Sequence, residues 1–316
     1  MKLVIQIPAW NERENLPLAL AALPRRVPGF DEVEVLVVDD GSTDGTAEAA
    51  RAGGADRVVT LPFHRGLAST FNAALAESLR MGADVVVNTD ADNQYDASAI
   101  PELVRPILEG RAAMVVGNRR VETIGHFSPT KIFLQKLGSA VVSYASGLRV
   151  PDATSGFRAF SREAALRLNV FSRMTYTLET LIQAGELDLP VESVPVATNP
   201  KLRESRLIRS NARYVAVSAA NILRLTVLYR PLKLFLTLAS LLAVPGVILV
   251  VRWFWYFFTT LGQAPTGRTQ SLTMGISLLL ASGGAVALGL VADLVSINRR
   301  LLEEILLRER KRDRKE

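Results

Sequence analysis

Five short apolar runs in the first 120 residues each end in a polar cluster, and this repeated order constrains the fold more than any single motif. Residues 3–7 lead to Pro8 and Asn11-Glu12. Val33 to Val38 lead to Asp39-Asp40-Gly41-Ser42-Thr43-Asp44-Gly45-Thr46. Arg57 to Leu61 lead to His64-Arg65-Gly66-Leu67, Ala83 to Asn88 to Thr89-Asp90-Ala91-Asp92-Asn93-Gln94, and Ala112 to Val116 to Gly117-Asn118-Arg119-Arg120. Helical segments are expected between them, from Asn11 to about Leu23, up to about Arg80, and from Ala99 to Leu108. Acids at the start of the first suit the positive end of a helix dipole, and Ser42 or Asp44 is placed to cap the second helix. Strands alternating with helices predict βαβ units and a mostly parallel α/β sheet. In such sheets ligands lie at the carboxyl ends of the strands, where these clusters fall.

Several classes are excluded. No G-x-G-x-x-G follows the first strand and no G-x-x-x-x-G-K-[ST] occurs, which argues against a dinucleotide oxidoreductase and a P-loop ATPase. There are no cysteines, so disulfides, thiolate metal sites and a Cys nucleophile are out, and the two histidines, His64 and His126, do not make a zinc site. His64 reads as a loop residue rather than a base, and His126 as part of an acceptor-side loop. Asp90 and Asp92, two residues apart at the end of a strand, suit a hard cation that takes oxygen ligands. Taken alone, they equally suit a solvated turn.

Further on, Pro129 to Leu148 reads as a helix over the sheet or against a membrane surface. Asp152 to Arg162 is a second dense polar cluster, with Ser161 capping a helix to Leu168. Thr175 to Ala184 is helical and carries Glu179, and Pro190 to Val196 is a late strand.

The chain changes character after residue 200. Between Lys201 and Lys233 the cations include Arg203, Arg206, Arg209, Arg213, Arg224 and Arg230, against one acid, Glu204. Residues 209–230 read as an interfacial amphipathic helix attracted by anionic lipid. Residues 234–251 and 272–292 carry no charge, and each is long enough for a bilayer core at about 1.5 Å per residue. The first is followed by Trp253 to Phe258, an aromatic belt, with Arg252 snorkelling to water and Pro245-Gly246 a potential kink. Positive flanks and a loop with only Arg268 predict a hairpin with the catalytic domain and both termini in the cytoplasm. The start of the chain lacks a signal-peptide pattern, consistent with that side. The expected organisation is a cytoplasmic domain over 1–208, the interfacial helix over 209–230, two spans within 231–298 (about 234–258 and 272–294), and a basic tail over 299–316. That tail reads as a surface helix; nucleic acid is not an expected partner.

Together Ile7-Pro8-Ala9-Trp10-Asn11-Glu12, Val37 to Thr46, Asp90-Ala91-Asp92-Asn93-Gln94, Gly117-Asn118-Arg119 and Ser155-Gly156-Phe157-Arg158 resemble family 2 glycosyltransferases, in the polyprenyl-phosphate (dolichyl-phosphate mannose synthase-like) subgroup. The C-terminal pair of spans resembles its membrane-anchored members. The resemblance implies a GT-A fold, a nucleotide-sugar donor (GDP-mannose or a UDP-hexose), Mg or Mn, and a membrane polyprenyl phosphate as acceptor, with inversion at the anomeric carbon. By motif position, Pro8, Trp10, Glu12, Asp39 and Asp90 would line the nucleotide site, with Trp10 where the family more often has Tyr. Asp90, Asp92 and Gln94 would take the metal. Asp92, Arg119 and Arg158 would be catalytic, and Arg119, Arg158, Arg203 and Arg206 would hold the acceptor phosphate. Asn118 stands where the family has Ser. Glu179 either orients the acceptor or has a buried capping or ion-paired role.

That chemistry is coherent. A diphosphate leaving group needs cations around it, and an acceptor phosphate already ionised at neutral pH needs no strong base. A processive polysaccharide synthase is disfavoured, because Leu249 stands where Q-x-x-R-W requires Gln. A catalytically silent membrane scaffold on the same fold is disfavoured by the intact Asp90, Asp92, Arg119 and Arg158. A homo-oligomer is compatible with the sequence.

Overall fold

A computed structural model of the protein describes residues 1–119, 138–144, 146–171, 175–199, 220, 223–224, 226–259 and 269–312. His126, Arg203, Arg206 and most of the 209–230 segment lie outside the described residues. The chain forms two compact units, one of residues 1–222 with 307–316, the other Leu223–Leu306.

The first unit is built on a seven-stranded sheet in the order β3-β2-β1-β4-β6-β5-β7. Its strands are β1 (Lys2–Ala9), β2 (Glu32–Asp39), β3 (Arg57–Thr60), β4 (Val85–Asn88), β5 (Met114–Asn118), β6 (Arg158–Ser161) and β7 (Val191–Pro195). Val-rich runs such as Val85-Val86-Val87 are buried throughout, as strands covered on both faces must be. All neighbouring pairs are parallel except those made by β6, which runs antiparallel to β4 and β5.

That one reversal matters for the site. Arg158, the first residue of β6, sits opposite Asn88, the last of β4. The Ser155-Gly156-Phe157-Arg158 motif therefore enters the sheet at the edge where the parallel strands leave it.

The helices are α1 (Leu16–Ala22), α2 (Thr46–Ala52), α3 (Leu67–Arg80), α4 (Ile100–Leu108), α5 (Arg162–Arg167) and α6 (Thr177–Glu186). α3 buries Ala68, Phe71, Ala74 and Leu75 against β1 and β2, a stripe at helical spacing. α4 packs on β4, β5 and β6. Ser161 caps α5 by accepting from Ala164 N at 3.2 Å, as expected.

The first helix begins later than expected, and it has no acid in its first turn. Asn11 takes φ 53° and the next residues turn toward the loop after β2 instead. Asn11 N donates to Ser42 Oγ at 2.8 Å, Thr43 N to Asn11 Oδ1 at 3.0 Å, and Glu12 N to Thr46 Oγ1 at 2.9 Å. Side chains that compete for backbone partners delay the helix. Ser42 is thereby committed to Asn11 rather than to capping α2, whose first residue instead donates from Thr46 N to Asp44 Oδ1 at 3.0 Å.

The second unit contains a helical hairpin of α7 (Pro231–Thr259) and the larger part of α8 (Thr269–Arg312), both helices long and apolar enough to cross a membrane. The helix α7 runs on through Pro245, and α8 continues well past the expected end of the span. The two helices meet closely at glycines: a Cβ on Gly246 would lie 3.1 Å from the Gly275 carbonyl oxygen. Ser282 Oγ donates across the pair to Ala239 O at 2.9 Å. Leu241, Trp255, Phe258 and Leu280 face outward.

Candidate active site

The carboxyl edge of the sheet gathers most of the residues singled out from the sequence. On its β1–β2–β3 side, Pro8 pairs with Val38 and Ala9 with Asp39. Asp39 is buried and accepts from Ser42 N at 3.2 Å. Glu12 is buried and accepts from Asn15 Nδ2 at 3.0 Å. Trp10 is 41% exposed, and its ring stacks on His64 with centroids 4.0 Å apart. Asp40, next to Asp39, organises the loop after β3. It accepts from Arg65 N at 2.8 Å, Gly66 N at 2.9 Å and His64 Nδ1 at 2.8 Å. These contacts gather an aromatic pair and three carboxylates at the ends of β1 and β2.

The Asp90–Gln94 turn follows β4. Asp92 Oδ1 accepts from Gln94 N at 3.1 Å, and Asn93 takes φ 55°. The turn is also held from outside. Gln94 O accepts from Asn199 N at 2.9 Å, and Asn199 Nδ2 donates to Asn93 O at 3.0 Å and Tyr95 O at 3.3 Å. Asn199, the last described residue before the basic 200–206 stretch, is thus tied to the carboxylate turn; Arg203 and Arg206 lie outside the described residues.

Electrostatics single out Asp90. Desolvation, and then the charge of Asp92, push its carboxyl up to about 7, against the opposing pull of Arg119 and Arg158. A carboxylate so penalised is one that a cation would relieve. Among the described residues no group of three His, Asp or Glu side chains converges on one point. A hard cation completed by substrate phosphates and water needs only one or two carboxylates, so Asp90 and Asp92 fit that donor set.

The two arginines differ. Arg119 forms a bidentate pair with Asp152, Nε to Oδ2 at 2.7 Å and Nη2 to Oδ1 at 2.9 Å, and Nη2 also reaches Thr154 Oγ1 at 2.8 Å. Burial alone would lower its pKa; Tyr95, Asp152 and Asp90 outweigh that and raise it. Asp152 would be raised by burial, yet the hydrogen bond and charge of Arg119 hold it below the ordinary carboxylate range. Arg119 keeps a small exposed surface.

Arg158 keeps none. It is 0% exposed, and its donors go to Ser155 O, Ala153 O, Thr177 O and Thr180 Oγ1 at 2.6–2.8 Å. The sequence expectation that Arg158 grips a phosphate therefore needs correcting. Its guanidinium is committed to the protein and supplies positive charge from beneath Asp90. Burial pushes its pKa down to about 10, so it stays charged at neutral pH.

Glu179 is buried in α6, and both carboxylate oxygens accept from Phe171 N at 3.1 Å. Its described contacts hold the backbone of the segment before α6 and the Gln183 side chain on its own helix, rather than capping a helix end. Four residues escaped sequence reasoning: Asn88, Tyr95, Asp152 and Tyr176. Asn88 had a signal, being a polar residue inside a buried run. Asp152 opens the second polar cluster, where nothing in the sequence assigns it a role, and Tyr95 and Tyr176 show themselves only through long-range contacts.

The sequence model of Glycosyl transferase family 2 matches residues 4–168. The chain is 30% identical over 224 residues to a polyprenol monophosphomannose synthase of Mycolicibacterium smegmatis, covering 66% of this chain and 82% of that protein. It is also 30% identical over 218 residues to an undecaprenyl-phosphate mannosyltransferase of Micrococcus luteus, covering 66% and 88%. Among solved structures, the glucosyl-3-phosphoglycerate synthase of Mycobacterium tuberculosis, crystallised with Mn2+, UDP and glucosyl-3-phosphoglycerate, superposes with a TM-score of 0.53 at 23% identity, over 70% of this chain and 79% of that one. That likeness shows a shared GT-A fold. With the carboxylate turn, the Trp10–His64 stack and the Arg119–Asp152 pair in the sheet unit, and with the family's sequence pattern over half its length, the chain belongs to glycosyl transferase family 2, a family of sugar-transferring enzymes.

Proposed function

We propose that this enzyme moves a sugar from a nucleotide sugar to a membrane polyprenyl phosphate, with inversion at the anomeric carbon. The observation that carries this reading is the joining of a phosphate-suited catalytic edge to a membrane hairpin in one chain, supported by the two mannosyl-transferring relatives. Those relatives favour mannose as the sugar, hence GDP-mannose before UDP-hexoses as donor.

The recess of Pro8, Trp10, Glu12 and Asp39 receives the nucleoside. Asp90 and Asp92, with Gln94 beside them, hold Mg or Mn. Held there, it would supply positive charge to the departing diphosphate. Arg119, set by Asp152, presents a guanidinium to phosphate oxygens. Arg158 reinforces that field without touching substrate. An acceptor phosphate oxygen forms the new bond to the anomeric carbon as the bond to the nucleoside diphosphate breaks on the opposite face. Because that phosphate arrives ionised, no side chain must take its proton.

In this reading residues 1–208 act in the cytoplasm, residues 209–230 lie at the interface, and both ends of the 231–298 hairpin face the cytoplasm. The test is a donor screen. The purified full chain is given labelled GDP-mannose and a panel of UDP-hexoses with undecaprenyl or dolichyl phosphate, with and without Mn2+. A labelled lipid phosphate from GDP-mannose is expected. A panel with no labelled lipid overturns the reading and favours a silent scaffold.

A further inference from the structure

The peptide of Gly156 is held on both sides. Its N–H donates to Tyr95 OH at 2.9 Å, and its carbonyl accepts from Tyr176 OH at 3.1 Å and Asn88 Nδ2 at 3.0 Å. Asn88 Nδ2 also donates to Tyr176 OH at 2.7 Å. Behind Asn88 the chain of bonds continues: Gln6 Nε2 donates to Asn88 Oδ1 at 3.0 Å, and Ser78 Oγ to Gln6 Oε1 at 3.1 Å. All these side chains are buried. Buried networks of this kind rigidify what they hold when every member is satisfied.

What the clamp holds lies directly against Asp90. A Cβ built on Gly156 would lie 3.0 Å from each Asp90 carboxylate oxygen and 2.9 Å from Tyr176 OH. Among the described residues no hydrogen bond reaches the Asp90 carboxylate, so packing is what places it. The charge of Asp92 pushes against it while those of Arg119 and Arg158 pull on it. Tyr176 is itself fixed by a face-to-face stack on Phe71, with centroids 4.0 Å apart and planes 1° apart. Burial and the charge of Asp90 hold its phenol protonated, which suits a donor to the Gly156 carbonyl.

From this geometry we infer that Tyr95 and Tyr176 are positioning residues for the divalent cation: by clamping the Gly156 peptide they make it the floor on which the Asp90 carboxylate is set. The inference rests on Asp90 and Asp92 being the cation's ligands. Groups outside the ligand set that orient it are typically worth about 10- to 100-fold in metal affinity.

The test uses Mn2+ titrated into the detergent-solubilised full chain, followed by electron paramagnetic resonance, with GDP and UDP in separate arms. Tyr176→Phe keeps the stack on Phe71 and loses only the hydroxyl. Its Mn2+ dissociation constant is expected to rise about 10- to 100-fold. Tyr95→Phe, which opens the other side of the clamp, is expected to weaken binding in the same direction and carries the test if Tyr176→Phe does not fold. Gly156→Ala is expected to weaken it further. A merely structural role would lower the melting temperature and leave the dissociation constant unmoved. Wild-type binding with unchanged affinity in the folded tyrosine variants overturns the clamp alone. No Mn2+ binding to the wild type in either arm overturns the clamp together with the assignment of Asp90 and Asp92.

Discussion

The sheet unit and the hairpin unit solve the problem of polar groups in opposite ways. In the sheet unit, polar side chains find partners far along the chain: buried Asn88 reaches Gly156 and Tyr176, and half-buried Asn199 reaches Asn93 and Tyr95. In the hairpin, exposed hydroxyls turn back on their own helix. Thr237 donates to Lys233 O at 2.8 Å, Ser240 to Leu236 O at 2.9 Å and Ser277 to Thr273 O at 2.8 Å. Ser282 is an exception that crosses between helices. The difference follows from the solvent. Water lets a globular unit gather charge at a site and bury the rest, whereas hydrocarbon requires each backbone group to be satisfied within the segment. Perturbations should thus be severe in the sheet and mild in the hairpin.

The severest case is Asp152→Ala, which leaves Arg119 without its carboxylate at a position 10% exposed. Breaking one side of a buried pair costs about 3–5 kcal/mol. Denaturant unfolding should show that loss, with glycosyl transfer falling as Arg119 drifts; a stability within error of wild type would break the contrast.

Next is Asp92→Ala, where loss of a preorganised charge stabiliser should lower kcat by about 10²- to 10³-fold or more. Membrane insertion should be intact, because the hairpin does not depend on the site. Undiminished transfer to lipid by this variant would sink the mechanism.

Asp90→Asn sharpens the comparison through pH. The raised pKa means that the metal-free folded state favours the proton. The stabilisation is fully present below the ordinary value of 3.8 and is lost as pH rises to about 7. Asparagine removes that loss. In chelator, the variant should gain melting temperature relative to wild type between those values and hold the gain above pH 7, while transfer is abolished. A relative stability flat across that window would refute the strain on Asp90.

Smallest is Ser282→Ala, which removes the interhelical bond to Ala239. Such bonds in membranes average about 0.6 kcal/mol. Thermal unfolding of the hairpin in micelles should move only slightly, with kcat unchanged; a loss as large as that of Asp152→Ala would erase the distinction between the two units.

Much of this was legible in the residues. Runs such as Val33 to Val38 and Val85 to Val87 have no other good use than strands covered on both faces, and their polar endings placed the site. Ser161 announced its own cap. The spans were plain because hydrocarbon tolerates so few alternatives to a long apolar helix. What escaped was set by partners distant along the chain. The strand β6 is only four residues long and lies within a polar cluster, so nothing local marks it as a strand or as antiparallel. Arg158 looked like a phosphate ligand because its type and motif allow it; only the carbonyls of residues 153, 155 and 177, brought together by the fold, reveal that its donors are taken. Tyr176 lies 88 residues from Asn88, and no periodicity joins them.

The 44-residue α8 carries a last consequence. At about 1.5 Å per residue it is about 66 Å long, roughly twice the thickness of a hydrocarbon core of about 30 Å. In the membrane reading proposed above, one helix would run through two media, with Asp293 where the first gives way to the second. A thicker bilayer must tilt the whole rod or draw Asp293 inward, and a thinner one must expose leucines to water or itself deform. Bilayer thickness becomes an input to the protein in its own right, so reconstitution into lipids of graded acyl length should rank its activity even when donor and acceptor are held the same.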